Sequence, residues 1–372
     1  MTTAHDLVVV GASFAGVACA VAAARAGAAV RLIERRADPG AKLHTTGIVV
    51  KEALAALEAI APVPPELTRE ITGVRLHAPN GSSAALDSPG YFFLATDTPR
   101  LMRWLVACAR DAGVDVALAT SFEGATRAGD GWRLSDGSSA RFLVGADGPA
   151  SRVARDCGLG VNNAFLFGAE AEIEAAAPVE PNRLHCFVDR RLARGYIGWA
   201  FAGVGIVQAG LAVRRRDAVS VVPDLDGFVA KIAPLLGPGS NRVLARRAGL
   251  IPVGGPVRPR AADRVLLIGD AAGLVSPLTA GGIHTALDSG LRAGAAIAAA
   301  LRDDHGGPLA VDITAPSFRA KRVMRAAFDH LQSDTMANVL IGNQLFSRAA
   351  RLVFFHRRGV LSAAAWRDLL RK

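Results

Sequence analysis

Cysteine is scarce in this 372-residue chain. Cys19, Cys108, Cys157 and Cys186 are scattered, with no CxxC pair and no histidine at ligand spacing. That pattern argues against a disulfide scaffold and against a zinc or other metal site. It reads as a reducing, cytoplasmic setting in which thiols serve as small apolar core groups. Aromatic residues are only 6% of the chain, and acids are outnumbered, 33 against 43 Lys and Arg. Long apolar runs are lacking too. The best stretch, Val17 to Val30, is broken by Arg25 and Gly27, short of the ~20 residues a membrane span needs. His5 and Asp6 leave no basic leader region, so no signal peptide is expected. There is no helix-turn-helix pattern, zinc finger or aromatic-rich RNA motif, so the formal charge of +10 does not point to nucleic acid. What remains is 51% hydrophobic and 20% charged, a globular composition on a chain long enough for two domains.

The first 36 residues carry a pattern with a physical purpose. "DLVVVGASFAGVACAVAAARAGAAVRLIERR" reads as a strand from Leu7 to Val10, a glycine turn, a helix from Phe14 to Gly27 and a strand from Val30 to Ile33. Gly11-x-Ser13-x-x-Gly16 is the turn. Gly11 allows the tight bend, Gly16 lets helix and strand pack closely, and the helix start at Phe14-Ala15 offers free N–H groups to a pyrophosphate. Ser13 replaces the usual middle glycine but is small and can donate a hydrogen bond. Glu34, with Arg35 beside it, ends the second strand where an acid accepts both ribose hydroxyls and disfavours a 2′-phosphate. This is a dinucleotide-binding pattern.

Two later segments repeat the logic of a strand running into glycine and aspartate. "RFLVGADGPASRVAR" places Asp147 after a strand at Phe142 to Val144. "RVLLIGDAAGLVSPLTAGGIHTAL" places Gly269-Asp270 after a strand at Val265 to Ile268, followed by a linker of small residues and a helix from Gly281 to Leu301. Such a linker is too poor in side chains to build a core, and suits bare backbone against a flat ligand. With these three motifs in this order, the chain resembles flavoproteins of the p-hydroxybenzoate hydroxylase superfamily, most of all its geranylgeranyl reductase-related branch, over residues 5 to 300. The resemblance implies an α/β fold: a Rossmann-like FAD-binding domain with a parallel sheet (residues 1–75, 98–160 and 261–310), an antiparallel-sheet substrate domain (76–97 and 161–260), and a C-terminal helical region (311–372). It implies FAD as cofactor. Asp270 would accept from the ribityl chain and Asp147 would help to hold the pyrophosphate region. The turn Pro277 to Gly282 would lay backbone on the flavin, with Gly281, Gly282 and Ile283 opening a helix toward the ring. The Gly40–Val50 loop would lie along the flavin at Thr46-Gly47, with Lys42 near a phosphate. An arginine at the start of the next helix would contact the cofactor, Arg100 being favoured over Arg103 and over Thr98, which stands at the aligned position.

On the substrate side the branch carries a cysteine followed by glycines in that loop. Here His44-Thr45-Thr46 stand instead, a departure that counts against an isoprenoid substrate. His44 is either an active-site acid or a polar loop residue. "GYIGWAFA" resembles the branch's YxWxFP run with one residue inserted and Ala202 for the proline. Tyr196, Trp199 and Phe201 either line an apolar pocket or pack a core, and alternation gives Tyr196 one face and the other two the opposite face. From Val311 onward there are eleven Lys and Arg against four Asp, interleaved with apolar residues. This tail reads as a helical cap packed on the flavin domain or as a peripheral contact with an anionic membrane. An FAD-dependent oxidoreductase acting on an apolar small molecule is the expected class, reducing a carbon–carbon double bond with NAD(P)H as reductant. The alternatives on this fold are a monooxygenase for an aromatic substrate and a non-redox flavin-dependent cyclase.

Overall fold

A computed structural model describes residues 4–43, 45–174, 178–215, 222–238, 242–262, 264–303 and 315–355. The run Leu7-Val8-Val9-Val10 is apolar on both faces and sits in the middle of a sheet, Ala4–Val10 being flanked by Val30–Ile33 on one side and Ser139–Gly145 on the other. Asp115–Ala117 and Val265–Leu267 extend the parallel array, and Ala261–Ala262 closes one edge antiparallel. Because the strands after Ala4–Val10 depart to opposite sides, a crevice opens at its C-terminal end, where such sheets bind ligands.

Two helices cover one face of this sheet, Phe14–Arg25 and Ile283–Arg302. They lie parallel and unusually close. A β-carbon at Gly290 would stand 2.3 Å from the Ala15 carbonyl oxygen, and one at Gly294 would stand 2.3 Å from that of Cys19. The equal four-residue steps set one small-residue seam against the other. Alanine and glycine are abundant here because backbone meets backbone.

The second layer is a seven-stranded sheet in the order Val243–Pro252, Phe165–Ile173, Val207–Arg214, Gly198–Ala202, Arg183–Phe187, Gly73–His77, Ser83–Asp87. It is antiparallel except where Arg183–Phe187 meets Gly73–His77. The strand Gly73–His77 therefore belongs whole to this sheet, and a division of the chain at residue 75 would cut through it. One face packs His185, Phe187 and Ala200 toward the helix Leu225–Leu236, whose Phe228 meets the Phe187 ring edge-on. The other face carries Leu184, Cys186, Trp199 and Phe201 toward the crevice. A small sheet of Ile48–Val50, Phe93–Thr96 and Thr68–Ile71 joins the two layers.

The C-terminal helices Arg319–Leu331, Asp334–Leu340 and Gln344–Phe354 do not pack on the core of the parallel sheet, as one reading of the tail expects. Ala337, Ile341, Ala350 and Phe355 join the core beneath the seven-stranded sheet. The rest of the basic tail, including Trp366, lies outside the described residues.

Candidate active site

The glycine turn forms as its spacing requires. Gly11 has φ 104°, a conformation that side chains disfavour, and a β-carbon there would stand 2.5 Å from the Ala146 carbonyl oxygen. Gly16 packs on the Gly11 carbonyl, so it shapes the turn from behind. Glu34 is buried. Its Oε2 accepts from the Ala12 N–H at 3.1 Å and its Oε1 from the Arg36 N–H at 3.0 Å, which leaves each oxygen a second lone pair. Asp147 turns both oxygens to the next helix start: Oδ1 accepts from Ser151 Oγ, and Oδ2 from the N–H groups of Arg152 (2.7 Å) and Val153 (3.1 Å).

Asp270 differs from both. Its carboxylate faces open space and accepts no hydrogen bond from the described residues, only its backbone carbonyl being used, by Asn162 and the Gly273 N–H. Burial pushes its carboxyl up to about 6. Two helices also point unfinished ends the same way. Phe14–Arg25 and Ile283–Arg302 have neither a side-chain cap nor an acid in the first turn. The peripheral helices Thr98–Asp111 and Leu225–Leu236, by contrast, are capped by Asp97 and Asp224. Uncapped N–H groups beside an unpartnered carboxylate make a cradle for a ligand that is anionic at one end and rich in hydroxyls in the middle.

Gly11, Glu34, Asp147, Asp270 and the two uncapped helix starts at Phe14 and Ile283 border one cavity of about 1330 Å³. Gly11, Ser13, Phe14, Ala15, Glu34 and Arg35 line one end, with Asp147 and Asp270 following, and Thr46, Gly281, Gly282 and Ile283 at the centre. Beyond them the wall turns apolar, with Leu76, Phe93, Leu184, Cys186, Tyr196 and Trp199 on the sheet side. Met324, Phe328, Leu340 and Phe354 close the other side from the C-terminal helices.

Other expected residues stand behind the wall or away from it. Gly269 and Pro277 are buried supports, and Phe201 is fully buried core. Gly47 has φ 70° and packs on the Thr96 and Thr98 hydroxyls, Thr96 Oγ1 donating to its carbonyl at 2.9 Å. Lys42 is exposed and does not border the cavity. Arg100 is exposed beside Asp97 at 3.7 Å, and Arg103 pairs with Asp38 at 2.7 Å, so neither reaches the cavity. His44 lies outside the described residues. Tyr196 precedes the strand Gly198–Ala202, so strand alternation does not govern it; it reaches the cavity together with Trp199, and its hydroxyl donates to the Thr279 carbonyl in the glycine loop.

Some lining groups left little trace in the sequence. Cys186 reads as a core thiol, and is buried with its pKa driven up by that burial, yet it borders the cavity. Arg36 is half-buried at the Glu34 end, and only its place in the Glu34-Arg35-Arg36 run hints at this. A buried ion-pair group backs Trp199. The Trp199 Nε1–H donates to Glu170 at 3.0 Å, Arg247 lies 3.5 Å from Glu170 and also pairs with Glu172, and Arg247 donates to the Thr45 carbonyl at 3.2 Å. Burial pushes Glu170 up to about 7 against the pull of Arg247.

Known proteins resemble this chain in sequence and in fold. The family described as FAD binding domain matches residues 4–312. A digeranylgeranylglycerophospholipid reductase of Methanosphaera stadtmanae is 32% identical over 317 residues, covering 80% of this chain and 79% of the relative. A geranylgeranyl bacteriochlorophyll reductase-like protein from Thermoplasma acidophilum superposes with a TM-score of 0.81 at 19% identity, covering 100% and 97% of the two chains. The probable FAD-dependent monooxygenase pqsL of Pseudomonas aeruginosa superposes with 0.62 at 18% identity over 100% of both. At such identities the two structures speak for the fold.

Proposed function

The chain belongs to the FAD-binding family, in the geranylgeranyl reductase-related branch of the p-hydroxybenzoate hydroxylase superfamily, and is an FAD-dependent oxidoreductase; on that premise we propose that it reduces a carbon–carbon double bond in a long apolar, isoprenoid-like substrate. The observation that carries this reading is the continuity of one cavity from the glycine turn to a wall of Phe93, Trp199, Phe328 and Leu340. An aromatic hydroxylase would need a compact pocket with polar groups to orient a ring. The departure at His44-Thr45-Thr46 is outweighed by this wall and by the reductase relatives.

In this reading the parallel-sheet layer holds FAD and the seven-stranded sheet with the C-terminal helices holds the substrate. Gly11, Ser13 and the first turn at Phe14-Ala15 would receive the pyrophosphate, Glu34 the adenosine ribose, Asp270 the ribityl hydroxyls, and Gly281 to Ile283 the ring. Reduced by NAD(P)H, the flavin held there would supply the hydride for one alkene carbon, the other carbon taking a proton. The protein's own contribution is to hold the chain in a dry, apolar wall and to fix the glycine loop through the Tyr196 hydroxyl. Purified protein should be yellow and release FAD on acid precipitation. Reduced anaerobically and mixed with a polyprenyl lipid, it should regain the oxidised spectrum without oxygen, with the lipid gaining two hydrogens. Reoxidation only on admitting oxygen, through a transient absorbing species, would make it a monooxygenase instead.

We also infer a peripheral membrane contact through the C-terminal helices. Val323, Val339 and Leu345 are 71%, 69% and 61% exposed, and Met336 is 45% exposed while lining the cavity, so these helices present apolar surface. Exposed Arg319, Arg322 and Arg351 stand on the same helices. Each basic group near an anionic surface adds about 1 kcal/mol. No helix among the described residues is long and apolar enough to cross a membrane. The protein should co-sediment with phosphatidylserine vesicles at low salt and partly at physiological salt. Recovery wholly in the supernatant at both would reduce these helices to a cap.

A further inference from the structure

The apolar end of the cavity has a back wall made of rings. Ile48–Val50 and Phe93–Thr96 pair antiparallel in the register Ile48↔Ala95 and Val50↔Phe93. Partners opposite each other share a face. Those four side chains therefore share one face and join the core beneath the seven-stranded sheet, with Ile48, Val50 and Phe93 bordering the cavity, while Val49 and Leu94 turn back to the core of the parallel sheet. The rung nearer Thr46-Gly47 ends in the small methyl of Ala95, beside Thr96, whose N–H donates to the Gly47 carbonyl at 3.1 Å. The next rung, two residues or about 7 Å along, ends in the Phe93 ring. A chain running from the Thr46 end along this face passes the first rung and meets the second.

Phe93 is not free to swing aside. Tyr91 packs edge-on against it with centroids 5.3 Å apart, and Phe355 stands 6.0 Å from Phe93 and 5.4 Å from Tyr91. The Tyr91 hydroxyl is tied to Glu52 at 2.9 Å, on the helix Lys51–Glu58. Phe355, at the end of the last described helix, is 2% exposed. Two rings and one hydrogen bond thus hold Phe93 as a fixed stop, with Phe93 bordering the cavity.

We propose that Phe93, braced by Tyr91 and Phe355, sets the length of apolar chain that the cavity accepts. This rests on the reading of the cavity as a site for a long apolar substrate. The test is calorimetric titration of the FAD-loaded protein with all-trans prenyl alcohols lengthened one isoprene unit at a time. For the unmodified protein, affinity should rise about tenfold per unit and then stop rising at a definite length. Phe93→Ala should move that limit by at least one unit, and Phe93→Leu, the milder change if alanine loosens the fold, should move it the same way. Phe228→Ala, on the opposite face of the large sheet, should leave the limit in place. Prenyl alcohols that bind with an unchanged limit in both Phe93 variants would overturn the length-setting role alone. Absence of binding by any of them to the unmodified protein would overturn the apolar-substrate reading, and this role with it.

Discussion

Alanine in place of Arg247 should remove about 3–5 kcal/mol of folding stability, the usual cost of stripping one partner from a buried ion pair. Arg247 and Glu170 are 8% and 3% exposed at their side chains, and the guanidinium also serves Glu172 and the Thr45 carbonyl. Its loss leaves two carboxylates facing low-dielectric surroundings and the Thr45 loop unpinned. The pH dependence separates this from lost packing. Burial pushes the Glu170 carboxyl up to about 7 in the fold, against 4.5 when solvated. The folded state therefore holds the extra proton across that window, and the stability it brings is present below about 4.5 and lost as pH rises through 7. Without Arg247 the folded value climbs further, so the deficit should be small in acid and largest in alkali. Urea unfolding of the cofactor-free protein at several pH values checks it, and a deficit independent of pH would sink the electrostatic explanation.

The second large effect is on cofactor affinity. Asp270→Ala should weaken FAD binding ten- to a hundredfold, which corresponds to the roughly 1.5–3 kcal/mol of a charge-assisted hydrogen bond. The Asp270 carboxylate is the one described acid at the centre of the cavity with no internal partner, so a ligand hydroxyl is the donor it lacks. Because burial holds this carboxyl near 6 and hydroxyl donors favour its ionised form, affinity in the unmodified protein should fall as pH drops below about 6, and the alanine variant should lose that dependence. Glu34→Ala should weaken binding from the adenosine end and leave the flavin potential nearly unchanged. Fluorescence titration of the cofactor-free protein with FAD reads the affinities, and dye equilibration reads the potential. If both variants hold FAD as tightly as the unmodified protein, these residues do not form the FAD site.

What the sequence disclosed, and what it hid, follows the range of the interactions involved. Gly16 and Asp147 act within a few residues of themselves, in a turn and a helix start, so their spacing along the chain carries their geometry. Lys42 and Arg100 are long side chains near the right loops, but spacing does not fix where such a chain points. Arg100 instead lies beside Asp97 one helical turn away. The Glu170–Arg247 pair has no motif, since a cross-strand partner is decided by sheet order. The amphipathic period of the C-terminal helices was legible, but which layer receives their apolar face was not. Hydrophobic periodicity names a buried side and leaves its partner open.

The close seam between the helices Phe14–Arg25 and Ile283–Arg302 bears on how this protein can vary. At Gly290 and Gly294 the smallest possible change, one methyl, meets a carbonyl oxygen at 2.3 Å. Relief would require the two axes to part, and both helices begin at the cavity wall. The displacement would be delivered to the space between Ser13 and Gly282 rather than absorbed at the surface. The span across the cradle is thus set by a missing side chain on the far side of the helices. Random variation should pass freely through the outward-facing arginines and halt at these two positions, so that drift in the chain leaves the gauge of the cradle unchanged.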